Sequence, residues 1–166
     1  DVLYVEQFKY GISFLNNHGY DQYEISNFCL DTKQSLHNTS YWRGKPYLGI
    51  GPSAHSYDGN NIRRWNISNN NIYIKNVQTE TLFWEEESLS DVEKWNEKWM
   101  VGLRTSTGVN LDYLIQGQFN KIEELKNTIQ NLEKSGLASV ERGYLKLTNE
   151  GKIVSDYVIE KFIISQ

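Results

Sequence analysis

One cysteine, Cys29, stands in 166 residues. That excludes an internal disulfide and any zinc or iron–sulfur site built from several thiolates of this chain, and it suits a reducing, cytoplasmic compartment. Positive charge is in short supply: 17 basic residues stand against 21 acidic ones, a formal net charge of −4. Nucleic acid and anionic lipid therefore have no electrostatic claim on the chain. No apolar run approaches the ~20 residues that span a bilayer. Internal repeats, low-complexity tracts, heptad runs, a P-loop, a Ser-His-Asp set and a paired-carboxylate pattern are also missing, so no catalytic residue can be named. What is present is ordinary globular composition, 39% hydrophobic and 23% charged, in a chain long enough for one good core or two small ones.

The sequence opens inside a helical pattern and reads as part of a longer protein. Val5, Phe8, Ile12 and Leu15 mark one face of a helix over residues 2–17, which Gly19 stops. Residues 20–28 alternate aromatic or branched with polar side chains and predict a strand; residues 31–40 are polar. A second strand is expected over Tyr47 to Ile50, ending at Gly51-Pro52, and residues 56–71 read as loop with Arg63, Arg64 and Trp65 as anchors. The run Glu85-Glu86-Glu87 precedes a good helix start at Ser90-Asp91, so a domain boundary is placed there, dividing 1–87 from 88–166. Val92, Trp95, Trp99 and Leu103 then keep helical spacing. A short helix follows over 111–119, and a longer one carries Ile122, Leu125, Ile129 and Leu132. Residues 138–148 predict a hairpin turning at Arg142-Gly143, and a last helix starts at Asn149 with Ile153, Val154, Tyr157, Val158 and Phe162 as its apolar positions. That order is winged-helix-like. From residue 105 onward, however, seven basic residues face eight acidic ones, which leaves DNA binding a minor alternative.

Two segments concentrate groups suited to a ligand. In His37-Asn38-Thr39-Ser40-Tyr41-Trp42 a neutral imidazole, the usual transition-metal ligand, stands beside two rings. His37 can ligate a haem iron, Tyr41 and Trp42 can lie against a porphyrin, and Asn38 can hold the other ring nitrogen or a propionate. Positions 37 and 41 share a face in a helix or a strand. Spacing alone fits an exposed loop histidine beside core-capping aromatics as well. In Tyr47-Leu48-Gly49-Ile50-Gly51-Pro52-Ser53-Ala54-His55-Ser56, residues 49–54 match the G-x-G-x-x-G/A dinucleotide fingerprint in form only. Pro52 removes an amide, and no helix follows to meet a pyrophosphate. Two glycines let the backbone approach a ligand or another strand, and a tight strand-end bend explains them equally. Glu24 is either a ligand-facing buried carboxylate or a solvent-facing strand residue. Arg63 and Arg64 are either propionate partners or surface charge, and Trp84, Trp95 and Trp99 are expected in the core.

Taken in order, Tyr23-Glu24-Ile25-Ser26-Asn27-Phe28, the two segments above, Leu103-Arg104-Thr105 with Gly108, and Leu147-Thr148 with Gly151 resemble the C-terminal part of the oxygen-independent coproporphyrinogen III oxidase-like radical SAM proteins. The resemblance implies an α/β fold. Residues 1–87 would be the last helix and strands of a radical SAM partial barrel with connecting loops, and residues 88–166 a helical, winged-helix-like C-terminal domain. It also implies S-adenosylmethionine (SAM) and a [4Fe-4S] cluster on a C-x3-C-x2-C loop in the longer protein, a loop that this sequence lacks. This stretch alone is then expected to be inactive.

Within that family a haem chaperone branch carries an HNxxYW haem-binding motif, and residues 37–42 match it at each fixed position. His37 accordingly carries over as the haem-iron ligand, with Asn38, Tyr41 and Trp42 around it. Gly51, Ser53, Ala54 and His55 carry over as part of a SAM or substrate pocket wall. The expected function is haem binding and delivery, with porphyrin and a haem acceptor protein as partners. True coproporphyrinogen III dehydrogenase activity and a protein-docking module are the alternatives. Self-association through residues 20–28 and 47–51 is a further expectation, because a cut barrel exposes an apolar sheet edge.

Overall fold

A computed structural model describes residues 2–112 and 122–165. The described residues fall into two compact units: one runs up to Leu36 and resumes at Trp95, and the other is His37–Lys94.

In the first unit, helix α1 spans Val2–Asn17, and Gly19 ends it in the left-handed region. The predicted stripe is its inward face: Ile12 is buried and Val5, Phe8 and Leu15 are half-buried, while Tyr4, Tyr10 and Phe14 are exposed. The single strand predicted over 20–28 is instead an antiparallel hairpin, β1 (Tyr20–Glu24) and β2 (Asn27–Leu30). Local chemistry makes the turn, since the Glu24 carboxylate accepts the Ser26 amide (3.0 Å) and an Asn27 side-chain N–H. Two backbone bonds tie this hairpin to the residues after the fourth helix, Ile25 N–H to the Arg104 carbonyl and Ser106 N–H to the Tyr23 carbonyl, both 3.0 Å.

Helix α4 (Asp91–Gly102) begins at a capping box, in which Ser90 and Glu93 bond reciprocally at 2.7 to 3.3 Å. These bonds, the Ser90 hydroxyl foremost, hold the Glu93 carboxyl below the ordinary glutamate value. The expected stripe is realised: Trp95, Trp99 and Leu103 are buried. They join Leu125, Ile129 and Leu132 of α5 (Ile122–Lys134). A three-stranded antiparallel sheet of order β6-β8-β7 covers them, with β6 at Val109–Asn110, β7 at Ala138–Glu141 and β8 at Tyr144–Leu147. The hairpin turns at Arg142-Gly143, as the sequence predicts.

The last predicted helix is broken at Val154 into α6 (Asn149–Ile153) and α7 (Ser155–Glu160). The break leaves Val154 and Tyr157 outside and turns Val158, Ile159 and Phe162 into the core. Phe162 stacks on Trp99 at 4.1 Å, and its carbonyl accepts the Trp95 indole N–H at 3.2 Å. The helix predicted over 111–119 lies almost wholly outside the described residues.

The second unit departs most from expectation. Within the polar stretch 31–40 a helix begins, α2 (Leu36–Trp42). The predicted loop 56–71 and the charged boundary at 85–87 are an antiparallel sheet, β3 (His55–Tyr57), β4 (Ile62–Asn66) and β5 (Trp84–Ser88), with α3 (Asn70–Gln78) between the last two strands. The glutamate run is strand because its charges meet opposite charges across the ladder, Glu86 facing Arg64 and Glu87 facing Arg63. The β3–β4 turn is nucleated by Asp58, whose carboxylate accepts the amides of Asn60, Asn61 and Ile62 at 2.8 to 2.9 Å. The strand expected over Tyr47 to Ile50 shrinks to one bridge, Tyr47 with Tyr57. No helix among the described residues is long and apolar enough to cross a membrane.

Candidate functional site

Successive helix residues are ~100° apart, so on α2 His37 and Tyr41 fall about 40° apart on one face, whereas Trp42 lies about 140° from His37. The side chains bear this out. The exposed His37 imidazole meets the Tyr41 ring edge-on at 4.9 Å. Tyr41 in turn meets Tyr47 edge-on at 4.7 Å, and Tyr47 leans on Tyr57 at 6.2 Å. The Arg63 guanidinium closes the row, 5.9 Å from the Tyr57 ring centre. Trp42 is half-buried instead. Its indole N–H and the Thr39 hydroxyl one turn earlier are buried without a hydrogen-bond partner. The structure therefore brings His37 and Tyr41 together and sets Trp42 on another side of the helix. Asn38 is half-buried between the two faces.

The second segment is built around a buried amide. Asn66, at the end of β4, is 6% exposed, and its side-chain N–H groups donate to the carbonyls of Gly51 (2.8 Å) and Gly49 (3.3 Å). The Gly49 amide donates to the Ser56 hydroxyl at 2.9 Å and the Gly51 amide to the Tyr73 hydroxyl at 3.3 Å. The two glycines serve different needs. A Cβ at Gly49 would collide with the His55 backbone, so this residue allows strand-to-strand approach. Gly51 has φ +104° and open space around its α-carbon, so it serves a backbone conformation. Ser53 also sits at positive φ, and Ala54 donates to the Gly51 carbonyl at 3.3 Å, which closes the bend. His55 is exposed on β3, its ring 6.3 Å from Trp65. With both glycine amides engaged and a strand following, the dinucleotide fingerprint has no physical basis here.

The two arginines separate. Arg64 pairs with Glu86 at 2.8 Å and lies over Trp84, whereas Arg63 belongs to the ring row. Glu24 is buried in the other unit and is engaged in its own turn. Sequence reasoning missed Tyr47 as a ring partner, and Asn66, Ser56 and Tyr73 as the pins of the glycine bend.

Chemically, α2 offers a single accessible imidazole beside an aromatic edge. A single donor of this kind would suit an iron already bound by a macrocycle, which needs few ligands from protein. Among the described residues no group of three or more His, Cys, Asp or Glu could hold a bare metal ion. An iron–sulfur cluster does not fit this chain, whose one thiol, Cys29, is buried in β2.

No family model matches the chain. It is 31% identical over 160 residues to the haem chaperone HemW of Lactococcus lactis subsp. lactis (strain IL1403), a match covering 96% of this chain and 42% of that protein. The haem chaperone HemW of Bacillus subtilis (strain 168) is 28% identical over 160 residues, again with 42% of its length covered. Radical S-adenosyl methionine domain-containing protein 1, mitochondrial, of Danio rerio is 25% identical over 169 residues, with 38% covered. Among solved structures, coproporphyrinogen III oxidase (HemN) from Escherichia coli, described as a radical SAM enzyme, superposes with a TM-score of 0.67 at 17% identity, over 93% of this chain and 39% of that one. The resemblance read from the sequence is thus borne out: the relatives are haem chaperones and radical SAM proteins, and the chain matches a C-terminal region of them. It spans about two-fifths of the length of the curated relatives it matches.

Proposed function

We propose that this chain is the haem-presenting portion of a radical SAM-type haem chaperone, with His37 as the residue that would hold the iron. The observation that carries the reading is the exposed imidazole of His37, held edge-on to Tyr41 at 4.9 Å within a segment that matches the chaperone motif at each fixed position. If haem were bound, it would supply an iron able to take a nitrogen donor from His37. What this chain does is present a nitrogen donor at an accessible surface and a ring edge beside it. Trp42, on another side of the helix, has a different place from Tyr41: it is half-buried and its indole N–H is shut away from solvent, so it does not share the exposed face that presents His37.

In this reading residues 1–87 belong to the end of the barrel and 88–166 to a winged-helix-like domain. The order α4, α5, hairpin, α6 and α7 supports the latter. The bend at Gly51, Ser53, Ala54 and His55 forms part of the pocket wall for SAM or substrate, with Asn66 as its support. The cluster and SAM chemistry belong to residues outside this chain, and a haem acceptor protein is the partner.

The test is a haem titration of the intact protein followed by the Soret band. Wild type is expected to bind with a shifted band, and His37→Ala to weaken binding at least about tenfold, since losing even a supporting partner of a metal ligand costs about 10- to 100-fold. An unchanged titration in His37→Ala removes that residue from the site. Decarboxylation of coproporphyrinogen by the cluster-loaded intact protein with SAM would favour the oxidase reading instead.

A further inference from the structure

We infer that Tyr47, which lies outside the His37–Trp42 segment, is a positioning residue for the His37 imidazole; the inference rests on the haem-binding reading of that histidine. Helix α2 has seven residues, well short of the ~12–15 that make an isolated helix even marginal in water. Its side chains are therefore aimed by tertiary contacts. On the exposed face, those contacts form one sequence of rings. His37 rests on Tyr41 at 4.9 Å with an interplanar angle of 86°, and Tyr41 rests on Tyr47 at 4.7 Å and 68°. Both are edge-to-face geometries within the favourable range for aromatic pairs.

Tyr47 is the point where this row becomes rigid. Its backbone N–H and carbonyl each bond to Tyr57 at 2.9 Å, so its Cα is fixed to the first strand of the β3-β4-β5 sheet. Two residues on, Gly49 lies against the His55 backbone and is held by Ser56 and Asn66, which leaves the segment after Tyr47 little freedom to slide. The sheet thereby orients Tyr47, Tyr47 orients Tyr41, and Tyr41 sets the plane of the imidazole. An exposed histidine on a short helix would otherwise sample its rotamers freely, and each orientation lost on ligation would weaken binding.

The experiment compares Tyr47→Phe, which keeps the ring, with Tyr47→Leu, which keeps apolar bulk and removes it. Three quantities are read: the His37 ring-proton chemical shifts in haem-free protein, haem affinity by Soret titration, and the position of the bound Soret band. Tyr47→Phe is expected to stay within about twofold of wild type. Tyr47→Leu should move the imidazole protons toward the values of free histidine, weaken haem binding roughly two- to tenfold and displace the band. If Tyr47→Leu does not fold, Tyr47→Met takes its place. Imidazole shifts and affinity at wild-type level in the ring-deleted variant would overturn the inference, as would a Phe variant as damaged as the Leu variant. If wild type fails to bind haem while the ring-deleted variant still moves the imidazole protons, the haem reading has failed and the positioning contact stands.

Discussion

Gly49 and Gly51 are separated by one residue and do unlike jobs. The sequence shows two glycines before a proline and leaves open whether a ligand or another strand comes close. The His55 backbone against Gly49 answers for that residue, and the left-handed φ of Gly51 answers for the other. A methyl at Gly49 has backbone in its way, so something must shift. Gly49→Ala is expected to destabilise the protein by about 1–3 kcal/mol, the usual cost of overpacking, and to lower the melting temperature. A melting temperature equal to wild type would mean that the bend is looser than described. The meeting of His37 with Tyr41 on one face was legible from their spacing, but the pins of the bend were not. Asn66 donates to carbonyls 15 and 17 residues earlier, and nothing in a local pattern records such a partnership.

Among the elements, the long periodic helices and the β7–β8 hairpin were read correctly and the short strands of the second unit were not. α1, α4 and α5 each run more than three turns with apolar residues at helical spacing, and burial selects that face. β3, β4 and β5 have three to five residues each and carry Arg, Asn and Glu. Their pairing depends on the turn at Asp58 and on cross-strand charges, so composition read them as loop and linker. The same turn carries a pH dependence. The amides of Asn60 and Ile62, foremost, hold the Asp58 carboxyl below the ordinary aspartate value. Because the folded group is the stronger acid, its stabilisation is complete above the ordinary value and drains away as pH falls from there through the lower folded one. Amide shifts of residues 60–62 are expected to stay constant from neutral pH down to the ordinary aspartate range and to move below it. A transition at or above the ordinary aspartate range would exclude Asp58 as the anchor.

At the scale of the whole molecule, stability concentrates in the unit that joins the two ends of the described chain. Trp99 is fully buried and stacked on Phe162 with planes 7° apart, in the middle of a core drawn from α4, α5, the β7–β8 hairpin and α7. Trp99→Ala is expected to cost about 3–5 kcal/mol, read as a lower midpoint in denaturant. A loss below about 1 kcal/mol would place Trp99 at the edge of the core. The sequence by itself determined the helical stripes, the hairpin at Arg142-Gly143, the exclusion of a cluster of several thiolates of this chain, and the shared face of His37 and Tyr41, because each is written in residue type and short-range spacing. Only the tertiary structure decided that Tyr47 joins the ring row, that Arg63 and Arg64 part company, and that Asn66 holds the glycine bend. Those outcomes depend on which distant groups meet across a sheet or a helix face, and a side chain's partner is chosen by three-dimensional contact after local propensity has been spent.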